Sequence, residues 1–153
     1  MERLSCFAWK TVWRALSKYN VGSADKRTYD GIVFDSVVEM RYYKEVVLPG
    51  VASGKIVNYK LQKPFMLIPK FTRDGKTVRS IQYVCDFYLE YADGHTEVID
   101  VKGMATSEAK MKRKMFLYFY PDMDLKWVVY VKKYGGWIEY DEYQKLKKGK
   151  RGA

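Results

Sequence analysis

The hydrophobic positions of the chain change their spacing several times, and each spacing predicts a different kind of element. Near the start, Trp9, Val12, Trp13 and Leu16 recur at helical intervals, which predicts a helix over residues 5–19. A loop rich in Gly, Asn, Asp and Ser follows it. The aromatic stripe favours a docked helix with a basic side in water, and the alternative is an arm that contacts phosphates or a second subunit.

A second helix is predicted over residues 37–48. Ser36 is a suitable N-cap, and Glu39 follows three residues later, which is the spacing of a capping box. The helix is expected to stop at Pro49-Gly50, because proline has no N–H for the next helical hydrogen bond. Capping by itself already explains an acid at this position.

The middle of the chain has the alternating pattern of strands. One strand is predicted over residues 60–68, bent or at a sheet edge because it contains Pro64. A turn at residues 73–76 leads into a pair of strands, VCDFYLEYADGHTEVIDVKG, at residues 84–103. These two strands are expected to form a hairpin.

The last part of the chain returns to a helix and then to a strand. The helix is predicted over residues 107–119, and the strand over Leu125–Lys132. The tail KLKKGKRGA is basic and is expected to be mobile. Helices and strands in this order predict one α/β domain with a mixed arrangement around a single sheet.

Composition and charge add information about partners. Of 153 residues, 48% are hydrophobic, and 28 Lys+Arg against 18 Asp+Glu give a formal charge of +10. This basic excess favours a polyanion, with nucleic acid ahead of an anionic membrane surface. The longest strongly apolar run, Met115–Tyr120, is far shorter than the ~20 residues of a membrane span. Cys6 and Cys85 form no metal or disulfide spacing, so we expect reduced thiols and a cytoplasmic location.

Two acids and a lysine gather at the open end of the predicted hairpin. Asp100 and Lys102 lie two residues apart and share one face of their strand, while the residues between and before them would face the core. A two-residue loop between the strands would place Asp86 on the other face. A three-residue loop, with Gly94 in the left-handed conformation, would place Asp86 opposite Asp100. Both loops are common, and only the second brings the three side chains together.

On a shared face these residue types have an obvious chemistry. Asp86 and Asp100 would offer hard oxygen ligands to Mg²⁺ or Mn²⁺. Lys102 beside them would orient or deprotonate an attacking water and stabilise the charge that builds on phosphorus. This predicts metal-dependent hydrolysis of a phosphodiester. The alternative is a solvated surface ion pair, worth ~0–1 kcal/mol.

The same residues resemble a known catalytic motif. An acid on a helix, an acid at the start of one strand and acid-x-Lys on the next resemble the PD-(D/E)xK nuclease superfamily. The segments YDGIVFDSVVEMRYYKEV and LQKPFML, with the hairpin, are similar to a phage-encoded branch resembling the archaeal type of Holliday junction-resolving enzyme. The resemblance covers about residues 28–131. It implies a restriction-endonuclease-like core, with a central mixed β-sheet flanked by helices. The single domain then comprises a helical segment and loop (1–27), a nuclease core (28–132) and a basic C-terminal segment (133–153).

The resemblance also assigns roles to individual residues. It implies that Asp86, Asp100 and the Val101 carbonyl hold Mg²⁺, for which Mn²⁺ would substitute. Glu39 would complete the acidic cluster, directly or through water, and Lys102 would be the catalytic lysine.

Two further polar residues are expected near this cluster, Gln62 and Ser36, although an ordinary polar residue on a strand explains Gln62 equally well. The sequence departs from the common motif in two places. Cys85 stands where the superfamily often has proline, and Asp100 stands where glutamate is commoner, so the reach to the metal is shorter.

Basic residues of the third helix are candidates for DNA contact, namely Lys110, Lys112, Arg113 and Lys114. A solvated helix face is the simpler explanation for them. The resemblance implies a homodimer that cuts four-way DNA junctions, with no membrane partner. A nuclease acting on ends, nicks, flaps or a specific duplex, and a basic nucleic-acid-binding module without catalysis, are the alternatives.

Overall fold

A five-stranded sheet forms the centre of the protein, and helices cover both of its faces in the computed structural model, which describes residues 22–149. The helix predicted over residues 5–19 lies outside this range. The α-helices are α1 (Val37–Tyr42), α2 (Leu48–Ala52), α3 (Ser107–Phe119) and α4 (Tyr140–Gly149), with a π-helical segment (Tyr43–Val47) joining α1 to α2 and short 3₁₀ helices at Ala24–Arg27 and Lys132–Tyr134.

The strands form one large sheet and three small two-stranded sheets. They are β1 (Thr28–Tyr29), β2 (Ile32–Val33), β3 (Ile56–Leu61), β4 (Pro64–Ile68), β5 (Phe71–Arg73), β6 (Lys76–Val78), β7 (Ile81–Val84), β8 (Phe87–Tyr91), β9 (Thr96–Val101), β10 (Asp124–Val131) and β11 (Gly136–Glu139). The central order is β11-β10-β9-β8-β3, in which β9 and β10 are parallel and the other neighbours antiparallel. The predicted mixed α/β arrangement is confirmed.

The β8–β9 hairpin has the three-residue loop. The Tyr91 N–H donates to the His95 carbonyl (2.9 Å), and Gly94 has a φ of +91° in the left-handed region. The register of the paired strands, carried one residue beyond the last pair, sets Asp86 opposite Asp100. Of the two loops open at the sequence level, the structure therefore has the one that places both acids on one face.

The second predicted helix does not stop at Pro49. It continues through the π-helical segment into α2, because the Leu48 N–H donates to the Tyr43 carbonyl and restarts the helix just before the proline. Pro49 thus lies in a first helical turn, where a missing N–H is tolerated. At Gly50 the helix lies against the start of β3, since an added Cβ would lie only 2.5 Å from Ile56 Cδ1.

The prediction of a single strand over residues 60–68 is wrong, because this segment belongs to two strands in different sheets. β3 belongs to the central sheet, and β4 pairs with β7. Gln62 lies between them with a φ of +52°, a left-handed conformation that interrupts the strand. Pro64 begins β4 and needs no ladder hydrogen bond there.

Both faces of the hairpin are buried, whereas only one was expected to face the core. Ile99 and Val101 pack in the cluster beneath α1 and the π-helical segment, while Val98 packs with Phe116 of α3 on the opposite face. Asp100 shares this second face and is only 5% exposed. Asp100 is therefore a buried acid at a strand end, and the alternative of a solvated surface ion pair does not describe it.

The C-terminal part of the chain is more ordered than predicted. The last strand of the prediction corresponds to β10, but β11 then adds an edge strand to the central sheet and α4 follows as far as Gly149. The segment predicted as a basic C-terminal region (133–153) thus contributes a strand to the central sheet, since β11 pairs with β10 over four residues.

The helices of the described part are short. The longest, α3, has 13 residues. Within residues 22–149, none is long and apolar enough to cross a membrane.

Candidate functional site

Three elements bring the predicted acids and the lysine together at one end of the central sheet. Glu39 comes from α1, Asp86 immediately precedes β8, and Asp100 lies at the end of β9 with Lys102 just beyond it. The Lys102 Nζ lies 2.7 Å from Asp100 Oδ1. The charges of Asp100 and Glu39 both act on Asp86. These four residues, which span 64 positions of the sequence, therefore form one cluster in the folded protein.

Asp86 is held by its neighbours on both sides. Its Oδ2 accepts the Val101 N–H at 2.7 Å, and its Oδ1 accepts the Gln62 side-chain amide at 3.3 Å. The Gln62 backbone N–H also donates to the Asp86 carbonyl (3.1 Å). N–H and C=O of one extended residue point toward the same neighbouring strand, so the Val101 carbonyl is directed to the same side as its N–H. Gln62, expected near the site, is thus in direct contact with it.

Asp100 is anchored by a chain of buried aromatic side chains. The Tyr83 hydroxyl donates to Asp100 Oδ2 at 2.5 Å, and the Trp127 indole N–H donates to the Tyr83 oxygen at 2.7 Å. The Lys102 ammonium lies 4.9 Å from the centre of the Trp127 ring. Sequence reasoning missed Tyr83 and Trp127, because nothing in their spacing separates them from the other tyrosines and tryptophans.

Glu39 combines the capping role with a position at the site. Its backbone N–H donates to Ser36 Oγ (3.1 Å), and the Ser36 hydroxyl donates back to Glu39 Oε1 (3.0 Å). The reciprocal bond of the capping box comes from the Asp35 N–H, which donates to Oε2 (3.3 Å). The carboxylate is therefore bonded to the helix start and still only 8% exposed, beside the other acids.

Burial and neighbouring charges raise the pKa of two of these acids, Glu39 and Asp86. Burial, then the charge of Asp35 and, more weakly, that of Asp100, raise the pKa of Glu39 to about 7, against the lowering effect of the Ser36 hydrogen bond. Burial, then the charges of Asp100 and Glu39, raise the pKa of Asp86 well above its ordinary value, although the Val101 N–H lowers it. A cluster of this kind favours the uptake of a proton or of a cation.

The donor set fits a hard divalent cation in chemistry, since it offers carboxylate oxygens and one directed carbonyl. As placed, each carboxylate is bonded to protein donors, and residues 22–149 contain no group of three or more His, Cys, Asp and Glu side chains that could hold a metal ion. The ligand role of Asp86, Asp100, Glu39 and the Val101 carbonyl therefore stays a prediction.

The raised pKa of Glu39 predicts how stability changes with pH when EDTA removes divalent cations. The folded pKa of about 7 exceeds the unfolded value of about 4.3, so the folded state gains most below pH 4 and loses that gain as pH rises through 7. Between pH 5 and pH 8 the free energy of unfolding should fall in the parent protein. In Glu39→Gln we expect this fall to be smaller than in the parent protein, by up to about 3 kcal/mol. Urea denaturation at several pH values measures this.

An exposed glutamate supplies the matched control for this measurement. Glu139→Gln makes the same chemical change at the solvent-exposed end of β11, and it should keep the pH slope of the parent protein. Equal slopes in the parent protein and Glu39→Gln would contradict the buried, repelled state of Glu39.

A cavity of about 250 Å³ opens beside the lysine. Its walls include Val38 and Arg41 from α1, Lys102 and Gly103 after β9, and Tyr130 from β10. The Arg41 guanidinium stacks 3.4 Å above the Tyr130 ring. Of the four cluster residues, Lys102 is the one that lines this cavity.

The basic residues of α3 differ from one another in their surroundings. Lys110 and Lys114 are exposed, and Lys112 pairs with Glu108 one turn away (3.0 Å). Arg113 differs from the three lysines in its contacts. Both of its terminal nitrogens bond to Asp141 of α4 (2.9 and 2.6 Å), and its guanidinium lies over the Trp127 ring, so it ties α3 to α4.

Comparison with known proteins places this fold and site in a family. No curated protein matches the sequence. One family model, described as a protein of unknown function (DUF1064), matches residues 16–136. This range covers well over half of the chain and contains the whole Glu39, Asp86, Asp100 and Lys102 cluster. The chain therefore belongs to the DUF1064 family.

Proposed function

We propose that this protein is a metal-dependent, structure-selective DNA endonuclease that hydrolyses phosphodiester bonds. The observation that carries the proposal is the convergence of Asp86, Asp100 and Lys102 at one sheet end, with Glu39 beside them. Two acids on adjacent strands, a lysine two residues after the second and an acid from a helix form the arrangement expected of a PD-(D/E)xK site. The +10 charge suits a polyanionic substrate.

In the proposed mechanism, Asp86, Asp100 and the Val101 carbonyl would hold Mg²⁺, with Glu39 as a further ligand directly or through water. Mn²⁺ would substitute for it. The chemistry supplied by such a cation is neutralisation of phosphate charge and a more acidic water. The Lys102 ammonium, already fixed beside Asp100, would orient the attacking water and stabilise the charge on the phosphate oxygens. The water oxygen would lose a proton to solvent and form the new bond to phosphorus, while the P–O bond to one neighbouring nucleotide breaks and the leaving oxygen takes up a proton.

The substrate and assembly are further parts of the proposal. We infer a restriction-endonuclease-like core, because a mixed five-stranded sheet between helices supports it. We infer that four-way DNA junctions are the substrate and that the protein acts in the cytoplasm. We also infer that the active form is a homodimer, since two symmetric cuts across a junction need two active sites.

One experiment tests activity and substrate together. A labelled four-way junction and a linear duplex of the same sequence are incubated with the purified protein in Mg²⁺, in Mn²⁺ and in EDTA. We expect cutting of the junction in either metal and none in EDTA. Cutting of the duplex or its ends alone would keep the nuclease and overturn the junction assignment.

A second candidate function is a nucleic-acid-binding module without catalysis. The complete bonding of the carboxylates by protein donors, Tyr83, Gln62 and the Val101 N–H among them, favours it. It predicts salt-sensitive binding of DNA with no cutting in any divalent metal, which would overturn the proposed nuclease.

A positioning role for Tyr83 follows from its bond to Asp100. In Tyr83→Phe the carboxylate loses this donor, and we expect the Mg²⁺ concentration for half-maximal cutting to rise by about 10–100-fold. Titration of the cutting rate with Mg²⁺ measures it. The control is Tyr120→Phe, whose hydroxyl in the same aromatic cluster donates to the Met66 carbonyl instead (2.8 Å). An equal rise in both variants would show that Tyr83 acts only on stability.

A further inference from the structure

The chain makes a long excursion between two residues of the candidate site. It leaves the central sheet at Gln62 and returns at Asp86, and the two ends are joined by the Gln62 N–H donating to the Asp86 carbonyl (3.1 Å). In between, β4 and β7 pair and pack on α3, with Phe65 and Tyr83 each 5.0 Å from Phe116, ring centre to ring centre. The base of the excursion is therefore firmly attached beside Asp86.

Beyond this base the two strands leave the body of the protein. The register of β4 and β7 shifts by one residue between Met66 and Ile68, as at a β-bulge. A bulge bends a ribbon and increases its twist. From there, residues 69–80 form β5, β6 and their turn, and every one of them is exposed. We call residues 69–80 the distal ribbon.

The distal ribbon is strongly basic. Against one acid, Asp74, it carries four cationic side chains, Lys70, Arg73, Lys76 and Arg79. Arg73 pairs directly with Lys76 across the ribbon, and like charges in that position destabilise a hairpin. The Arg73–Asp74 contact (3.7 Å) offsets little, because both side chains are more than 80% exposed.

Folding of the body therefore does not account for the distal ribbon. A two-stranded hairpin is marginally stable by itself in water, and this one concentrates like charges at its tip. A polyanion would relieve the repulsion between Arg73 and Lys76. Cations along a ribbon edge also hinder the addition of another strand, which disfavours a second copy of the chain as the occupant.

The dimensions of the distal ribbon fit duplex DNA. The three paired residues in each strand extend ~10 Å at about 3.3 Å per residue, and a two-stranded ribbon fits a major groove about 12 Å wide. Because β4 and β7 connect the ribbon to the base at Gln62 and Asp86, it would reach phosphates several base pairs from a bond cut at the site.

We propose that the distal ribbon is a DNA-binding arm that contacts the phosphate backbone of the duplex flanking the cleaved bond. The inference rests on the proposed function in taking DNA as the partner. It adds a surface outside the acidic cluster and separate from the lysines of α3.

Salt dependence of binding tests the arm. The variant Lys70→Gln, Arg73→Gln, Lys76→Gln removes three exposed charges, and the control Lys145→Gln, Lys147→Gln, Lys148→Gln removes three exposed charges from α4. Fluorescence anisotropy with the labelled junction in EDTA gives the slope of log K against log salt. Each lost phosphate contact lowers its magnitude by about 0.9, so we expect a fall of roughly 2–3 in the arm variant and less than about 1 in the control.

Three results would overturn the proposal that the distal ribbon is a DNA-binding arm. An unchanged slope in the arm variant would show no phosphate contact, and an equal fall in arm variant and control would show an effect of total charge only. A change in the oligomeric mass of the arm variant, measured by light scattering, would show a protein contact instead.

Cleavage in Mg²⁺ separates this proposal from the proposed function. Suppose that the parent protein binds DNA but never cuts it, and that only the arm variant shows a smaller salt slope. This result would support the DNA-binding arm and contradict the proposed nuclease. If the parent protein cuts DNA and the arm variant keeps the salt slope of the parent protein, the result would support the nuclease and contradict the DNA-binding arm. Absence of DNA binding by the parent protein would overturn both.

Discussion

Asp86→Asn is expected to lower the rate of metal-dependent DNA cutting by roughly 10²–10⁴-fold and, in EDTA at pH 8, to raise the melting temperature. The first effect follows from the loss of a charged ligand in the proposed site. The second follows from the raised pKa of Asp86, because burial and the charges of Asp100 and Glu39 make its ionised form costly in the folded state. Asparagine has nearly the same shape and no charge, so it removes this repulsion.

The opposite signs of the two effects make the experiment decisive. A residue with only a structural role would lower activity through lower stability, and both readouts would fall together. Lys102→Met should also lose cutting by roughly 10²–10⁴-fold, but it should lower the melting temperature, since Asp100 then loses its ion-pair partner. Asp122→Asn, an exposed acid before β10, is the control and should change neither readout.

Binding measurements complete this comparison. Affinity for the junction in EDTA should stay within a few-fold of the parent value in Asp86→Asn, since the proposed phosphate contacts are elsewhere. Retained cutting in Asp86→Asn would remove this residue from the proposed site, and a fall of cutting and melting temperature together would assign it a structural role.

Phe116→Ala is expected to destabilise the protein by about 3–5 kcal/mol. Phe116 is fully buried, and its ring lies 5.0 Å from the rings of Phe65, Tyr83 and Tyr120, centre to centre. Truncation would remove apolar contacts and leave a cavity between α3 and the base of the excursion. Such a loss is a large part of a typical stability of about 5–15 kcal/mol.

Urea denaturation measures this effect, and the same helix offers its control. Phe119 lies three residues further along α3 and is 49% exposed, so Phe119→Ala should cost far less. Equal losses for the two substitutions would contradict the packing described for α3. Because Tyr83 contacts both Phe116 and Asp100, Phe116→Ala should also disturb the anchoring of that acid.

Local patterns account for the parts of the site that sequence reasoning predicted. The Ser36–Glu39 capping box depends on residues three apart, and the shared face of Asp100 and Lys102 depends on residues two apart. Hydrogen bonds and side-chain direction over such distances follow from backbone geometry alone. The hairpin register was less certain, because two loop lengths suited the same residues around Gly94.

Long-range contacts account for what sequence reasoning missed. Tyr83 of β7 and Trp127 of β10 are 44 residues apart and meet only because β7 packs on the same face of the central sheet as α3. β11 was missed because its pattern is short, and it forms only when the edge of β10 is available for pairing. The prediction that the helix ends at Pro49 was wrong, because a π-helical segment places the proline in the first turn of α2, where its missing N–H is tolerated.

Periodicity, capping and composition were enough to predict the mixed α/β class, the helix start at Ser36, the alternation that pairs β8 with β9, and the basic charge. Four features became visible only in the folded chain: the three-residue loop, the burial of Asp100 on a covered face, its anchoring by Tyr83 and Trp127, and the exposure of the distal ribbon. The physical reason is that burial and proximity across dozens of residues arise from packing of the whole chain, which no local spacing encodes.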